Sequence, residues 1–445
     1  MDKINCSEIS DAIDRISNLP DVLLQHILSF LSTKEAVETC VLSKRWKYTW
    51  ACVPVLDVSL EEFGGPYQEA KFERFVKGVM QNREPSNLEK FRLVWYTKDG
   101  ASYNSRALER CILQAMKIKP QVLSLSVSKQ ELLSFDTDPI FTCASLHDVV
   151  LEQNLKRHYL KIAPSSVHLP CLKKLHLTRV TVNDDSVDKL FFGCPILEEL
   201  FLQACNLNVY KISSDKLKKL VLLDCCLEQY LKISTPVLLD LEIRGCGRVL
   251  PVALVWENMP PMRTFSWENM ASLINARVEL PTSYYDDDLT DVGFKLLTNL
   301  SNVTNLDLQL SDPQGLLEKE IPNCPIFNNL KTLTLGGWCM SSDFELVAFF
   351  LRSPNLQRLT IYNYDVFFIL KPIRKWGQYS KEKSRHEEAK GALFQREQLE
   401  FVKIIKWMKN NEMVDRLVNK LHDHVKTIGK IIITNWNASF EGYVG

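Results

Sequence analysis

The side chains best suited to chemistry in this chain are its thiols and imidazoles, thirteen cysteines and eight histidines. Spacing decides what they could do. A metal or redox site built on thiols needs pairs such as Cys-x-x-Cys, whose sulfurs can reach one ion. Cys225 and Cys226 are adjacent instead. His422 and His424 lie two apart on a stretch with helical periodicity, which turns them to different sides of a helix. The run Asp286–Asp288 after Tyr284–Tyr285 reads as a solvated acidic loop rather than a cation cage. There is no glycine-rich phosphate loop with a following lysine, no Gly-x-Ser-x-Gly elbow and no His-Glu-x-x-His helix. We therefore expect no catalytic residue, no metal site and no cofactor.

Three of the cysteines do recur, each at the same place in a repeat. Leu197, Leu200, Leu202 and Cys205 fit the template L-x-x-L-x-L-x-x-C/N, as do Leu217, Leu220, Leu222 and Cys225. Leu238, Leu241, Ile243 and Cys246 make a third copy, and Leu146, Val149, Leu151 and Asn154 a fourth. Equal placement in successive copies predicts a buried ladder of small polar caps, not a reactive row. Leu172, Val303, Leu330 and Leu356 start further copies, and weaker ones start at Leu88, Val122, Met262 and Leu399. Starts at 146, 172, 197, 217 and 238 differ by 26, 25, 20 and 21 residues, the period of leucine-rich repeats. The 41 residues from 262 to 303 hold either an irregular copy around Ala276 to Leu280 or an insertion.

The expected architecture is α/β: a solenoid with parallel strands on a concave face and helices or turns on the convex one. Alternate strand residues point away from the core. One phase presents His176, Phe201, Val221 and Glu242, and two positions on come Thr178, Gln203, Leu223 and Arg244. Phe201, Val221 and Leu223 would form an apolar patch on a polar face. His176, Phe201, Val221, Leu223, Glu242 and Arg244 are the candidate partner-binding residues.

Ahead of the repeats, Asp14 to Trp50 reads as three short helices. Pro20 suits a helix start, with Asn18 available as a cap. Leu24, Ile27, Leu28 and Leu31 recur at helical spacing. Ser32 and Glu35 have the form of a capping box that starts a second helix, with Val37, Cys40 and Val41 continuing its buried face. Ser43 can open a third helix carrying Trp46 and Trp50, among Lys44, Arg45 and Lys47. So short a stretch cannot bury that many large apolar groups by itself and needs a partner or a neighbouring domain.

This opening stretch resembles an F-box, on LPDVLLQHILSFL followed by a short helix and LSKRW with a further tryptophan, the form seen in plant F-box proteins. The resemblance implies docking onto a Skp-type adaptor that is itself attached to a cullin. The residues it nominates for adaptor contact are Leu19, Pro20, Leu24, Ile27, Leu28, Leu31, Val41, Leu42, Trp46 and Trp50. The strand–helix–strand pattern from Leu399 to Ile433 resembles the FBD-type region that follows leucine-rich repeats in many such proteins.

Five segments result: a leader (1–13), an F-box (14–54), the solenoid (55–370), a charged linker (371–398) and an FBD-like region or last repeats (399–445). Lys plus Arg and Asp plus Glu both number 54, so the formal charge is zero. A dedicated nucleic-acid or membrane-surface protein would show a basic excess, and neither partner is expected. With no apolar run of membrane-spanning length, the thiols read as reduced and the location as nucleus and/or cytoplasm. The reading that follows is a non-catalytic substrate receptor of a Skp–cullin–F-box ubiquitin ligase, whose repeats hold a target protein. The alternative is a leucine-rich-repeat scaffold acting outside any ligase.

Overall fold

The computed structural model describes residues 16, 18–64, 68–84, 88–95, 105–128, 136–155, 158–228, 231–246, 265–268, 270–280, 296–310, 321–336, 344–363, 396–406 and 411–435. The leader, the acidic run at 286–288 and the linker from 371 to 395 lie outside the described residues. The chain divides into two compact units, Met1–Val180 with Lys189–Ile196, and Thr181–Asp188 with Leu197–Gly445.

The first unit opens with α1 (Asp21–Leu28), α2 (Thr33–Glu38) and α3 (Trp46–Thr49). Strands and helices then alternate: β1 (Val55–Ser59), α4 (Glu69–Asn82), β2 (Lys90–Trp95), α5 (Ser105–Lys117), β3 (Val122–Val127), α6 (Asp138–Phe141) and β4 (Asp148–Gln153). The short β5 (Leu160–Lys161) precedes β6 (Lys174–Thr178). Strands β1, β2, β3, β4 and β6 are parallel neighbours in that order. Leu56, Phe91, Leu123, Val149 and Leu175 stand in one register row, and Val58, Leu93, Leu125, Leu151 and Leu177 in the next. All ten are buried, which is the stacked core that the template demands.

β7 (Val180–Asn183) and α7 (Asp184–Gly193) follow in the chain. The second unit continues with β8 (Glu199–Gln203), β9 (Asn206–Asn208), β10 (Lys211–Ser213), β11 (Lys219–Leu223), β12 (Cys226–Leu227), β13 (Leu231–Ser234) and β14 (Asp240–Arg244). Next come β15 (Phe265–Glu268), β16 (Asn275–Leu280), α8 (Leu296–Leu300), β17 (Asn305–Leu310), β18 (Thr332–Gly336) and α9 (Phe344–Leu351). It ends with β19 (Arg358–Asn363), β20 (Arg396–Lys406), α10 (Asn411–His424) and β21 (Val425–Asn435). Strands β8, β11, β14, β16, β17, β18, β19, β20 and β21 form one parallel series. Its inward rows run from Leu200 through Leu220, Leu241, Ala276, Leu306, Leu333, Leu359 and Val402, and from Leu202 through Leu222, Ile243, Val278, Leu308, Leu335, Ile361 and Ile404. All of these are buried.

Several copies sit differently from their sequence reading. The irregular section contains a strand, β16, whose template starts at Leu273 with Ala276 and Val278 inward. The segment after Met262 instead supplies β15, which joins β10 and β13 in a side sheet. The copy assigned to Val122 is placed two residues late: Leu125 and Val127 are buried as that reading requires, but Leu123 and Leu125 are the pair aligned with Val149 and Leu151. A copy at Val53, Leu56 and Val58 precedes all those recognised. β20 begins at Arg396, so the last three residues of the expected linker are strand. The shortest repeats have extended return segments (β9, β10, β12 and β13) in place of helices. A period of about 20 residues leaves too little chain for a strand, a helix and two connections.

Candidate functional site

Local sequence explains most of the helical module. Ser32 Oγ accepts from the Glu35 N–H at 3.2 Å, and Glu35 Oε2 accepts from the Ser32 N–H at 3.0 Å, which completes the capping box. The Trp46 N–H donates to Ser43 Oγ at 3.4 Å, starting α3 as expected. Asn18 does not cap α1, which begins after Pro20 without a side-chain cap. Arg45 secures that end instead, donating from Nε to Asp21 Oδ1 at 2.9 Å and from Nη2 to the Leu19 carbonyl.

The module's own core is Leu24, Leu28, Ala36, Trp46 and Val53, with Leu19, Trp50 and Val55 packed partly against it. Three residues nominated for adaptor contact therefore need correction. Leu24, Leu28 and Trp46 are 0%, 1% and 6% exposed, and a side chain without accessible surface has none to offer a partner. The apolar stripe read from α1 was too wide. Leu24 and Leu28 face inward, whereas Ile27 and Leu31, also four apart, lie on the neighbouring exposed side. Val22, Leu23 and Phe30 join them there, and Leu42 and Tyr48 stand exposed around the start of α3. So does Val41, which the expected buried face of α2 had included but which follows the end of that helix. Sequence reasoning missed Val22, Leu23, Phe30 and Tyr48. Their signal was the excess of apolar residues over what one helical face can bury. Of the nominated set, Pro20, Ile27, Leu31, Val41 and Leu42 remain on the surface.

This exposed surface is held by the first repeat. The Asp57 N–H donates to Thr33 Oγ1 at 2.8 Å, and Thr33 is itself buried. Ser32 Oγ donates to Glu62 Oε2 at 2.9 Å and Lys34 Nζ to the Glu62 carbonyl at 2.9 Å. Burial raises the Glu62 carboxyl above its ordinary range, against the pull of the Ser32 hydroxyl.

In the second unit, the strands carry Phe201, Val221, Leu223, Glu242 and Arg244 of the other candidates. Val221 stands in register between Phe201 and Glu242, and Leu223 between Gln203 and Arg244. Val221 is buried, so it adds nothing to an exposed patch, and Phe201 and Leu223 are only part-exposed. Glu242 and Arg244 belong to a charge network that extends beyond the predicted set. Arg244 Nε lies 2.9 Å from Glu242 Oε1, Arg277 Nη1 lies 3.3 Å from the same oxygen, and Arg277 Nε lies 3.0 Å from Asp307 Oδ2. Gln309 Nε2 donates to Asp307 Oδ1 at 3.3 Å. Burial raises the Asp307 carboxyl above its usual range, and Arg277 opposes that shift. The adjacent strand positions Glu242, Arg277 and Asp307 could have been aligned once Ala276 was accepted as a core residue. His176 lies on β6 in the first unit, in register with Val150.

The cysteine row is structural. Cys205, Cys225 and Cys246 are buried, and Cys225 Sγ donates to the Leu202 and Leu223 carbonyls at 3.3 and 3.4 Å. Cys246 Sγ donates likewise to those of Leu222 and Arg244, both at 3.4 Å. Each cysteine follows a residue in the left-handed region, Ala204 (φ 50°), Asp224 (φ 52°) and Gly245 (φ 63°), which turns the chain inward at the strand end. Burial, reinforced by its two cysteine neighbours, holds the Cys225 thiol well above its ordinary range. His424 packs edge-on against Phe344 with ring centroids 5.0 Å apart. Among the described residues no cluster could hold a metal ion, and no helix is long and apolar enough to cross a membrane.

Comparison with known proteins places these surfaces in context. The F-box domain model matches residues 16–56, and the model described as "FBD-associated F-box protein At5g56370, LRR repeats" matches residues 113–251. The chain is 27% identical to the putative F-box/LRR-repeat protein At3g18150 of Arabidopsis thaliana, over 94% of this chain and 89% of that one. It is 29% identical to F-box/LRR-repeat protein At4g14096 of the same plant, over 94% and 86% respectively. FBD-associated F-box protein At4g10400, also from Arabidopsis thaliana, is 32% identical over 78% of this chain and 77% of its own length. Among solved structures, "Crystal structure of TLR13-ssRNA13 complex" matches with a TM-score of 0.21 at 14% identity, over 80% of this chain and 63% of that chain, too slight a likeness to carry an argument.

Proposed function

From the premise that the chain belongs to the F-box/LRR-repeat family, we propose that it is the substrate-recognition subunit of a Skp–cullin–F-box ubiquitin ligase. F-box domains in general bind Skp-type adaptors, and F-box/LRR proteins in general act as non-catalytic adaptors. The finer reading rests on one observation. A module that matches the F-box leaves Leu23, Ile27, Leu31, Val41 and Leu42 exposed, although its core is already filled. So much apolar surface on a small module marks a docking face. The adaptor would cover it and link the chain to a cullin, in the nucleus and/or cytoplasm. Strands β8, β11, β14, β16 and β17 of the second unit would present the target through Phe201, Leu223 and the Glu242–Arg277–Asp307 network. The chain would then act by proximity, raising the target's concentration beside a ubiquitin-charged enzyme.

The test is co-purification with a Skp-type adaptor. Deleting the module would also uncover Val55 and the first strand, so substitutions on the surface are the cleaner probe. Ile27→Asp with Leu42→Asp should abolish adaptor binding while the thermal midpoint stays within a few degrees of wild type. Stoichiometric binding by that variant would refute the docking face. Binding lost along with the fold in a matched Leu24→Asp variant would show what a core lesion looks like by contrast.

A further inference from the structure

β21 closes the parallel series of the second unit, and it is an unusual last strand. It spans eleven residues, Val425–Asn435, about twice the length of most strands before it. Among the described residues its one strand neighbour is β20, and none of them pairs with its other edge. On such an edge about half the residues point both N–H and C=O outward. Its inward positions, Ile431 and Ile433, continue the buried rows of Val402 and Ile404, yet Ile433 is 46% exposed. A long apolar edge of this kind is a template for another strand.

We propose that this edge pairs antiparallel with the same edge of a second copy of this chain, about a two-fold axis through Ile432. The sequence of β21 selects that register. With Ile432 opposite itself, Ile431 faces Ile433 of the second copy, and the reciprocal pair forms across the axis, so both uncovered inward positions are closed at once. Lys430 then faces Thr434 of the second copy. A register shifted to Lys430 would set two cations against each other, and one at Ile431 would place Ile433 against Gly429. Lysines on edge strands normally discourage pairing. Here Lys426 is held by Glu397 on β20, Nζ to Oε1 at 2.7 Å, and Lys430 meets no like charge. The inference is independent of adaptor docking.

The experiment is light scattering on the full chain across a range of concentrations. Wild type should approach twice the mass of one chain as concentration rises. Ile432→Lys, which sets two ammonium groups face to face, should remain single with an unaltered far-ultraviolet spectrum. Ile27→Asp with Leu42→Asp should still dimerise, which separates this edge from the exposed helical face. Ile432→Cys should crosslink to itself with a short bismaleimide several-fold more than Thr427→Cys, which lies far from the axis. Wild type that stays single throughout, a dimer surviving Ile432→Lys or lost with the helical-face variant, or equal crosslinking at both positions would overturn the proposal.

Discussion

At β1 the inward side chains are Leu56 and Val58, each 2% exposed, whereas at β21 the same template positions hold Ile431, half-buried, and Ile433, 46% exposed. Both are terminal strands of a parallel series, and both present isoleucine-like bulk to the core. The difference lies in what adjoins them. β1 continues directly from the helical module, whose core includes Val53 and touches Val55, and the Thr33 hydroxyl takes the Asp57 N–H. No described element lies beyond β21. In a stacked repeat each layer relies on its neighbours for burial, so an end layer is as stable as whatever covers it. The helical module thus has two faces with separate duties: one completes the first repeat, and the other is left exposed.

The largest expected effect tests the covered end. Leu56→Ala should destabilise the chain by about 2–5 kcal/mol, because a fully enclosed layer cannot relax into the space. Urea unfolding would measure it, and a loss below about 1 kcal/mol would mean the first layer is not sealed by the module. A smaller effect attends the polar seam. Thr33→Val keeps the shape but leaves the Asp57 N–H without its acceptor, and should destabilise by about 1–3 kcal/mol. Adaptor binding should survive, since Thr33 is buried away from the exposed face.

Between the ends, Arg277→Ala should destabilise by about 1 kcal/mol at neutral pH, a value reduced by the partial exposure of that side chain. The sign of its pH dependence follows from Asp307. Burial raises the folded-state pKa above the unfolded value, so the ionised carboxylate is a liability that protonation relieves as pH falls through the folded pKa. Removing Arg277 raises that pKa further. The gap between variant and wild type should therefore be widest at neutral pH and should narrow on acidification. A gap independent of pH would show that Arg277 acts by packing alone.

The inward rows were legible because a period of two within strands and about 25 between them leaves no other place for the leucines. Val53 and Leu273 escaped because their copies depart from leucine, at Val53 and Val58 and at Ala276 and Val278, while spacing alone still places them. The α1 stripe was misread for a different reason. Leu24, Ile27, Leu28 and Leu31 fit one helical face, and only the neighbouring Ala36, Trp46 and Val53 determine how wide the buried sector is. Val221 likewise follows the outward phase of its strand, yet it is buried between the Phe201 and Glu242 positions, an outcome of tertiary packing that alternation does not encode. The charge network needed strand alignment across the irregular section, which no local pattern supplies.

The smallest expected effect lies at the uncovered end and gives the comparison its sharpest form. Ile433→Ala removes the same class of side chain, from the same template position, as the valine or leucine pair at β1. With nearly half its surface already in water, it forfeits only part of the transfer free energy and leaves no closed cavity. At concentrations where the chain is single, the loss should be about 1 kcal/mol or less. At higher concentrations the loss should grow, because the second copy that covers Ile433 would bury what the single chain leaves exposed. A loss at low concentration equal to that of Leu56→Ala would mean the last layer is covered after all. A small loss that never grows would leave the end open at every concentration and would count against edge pairing.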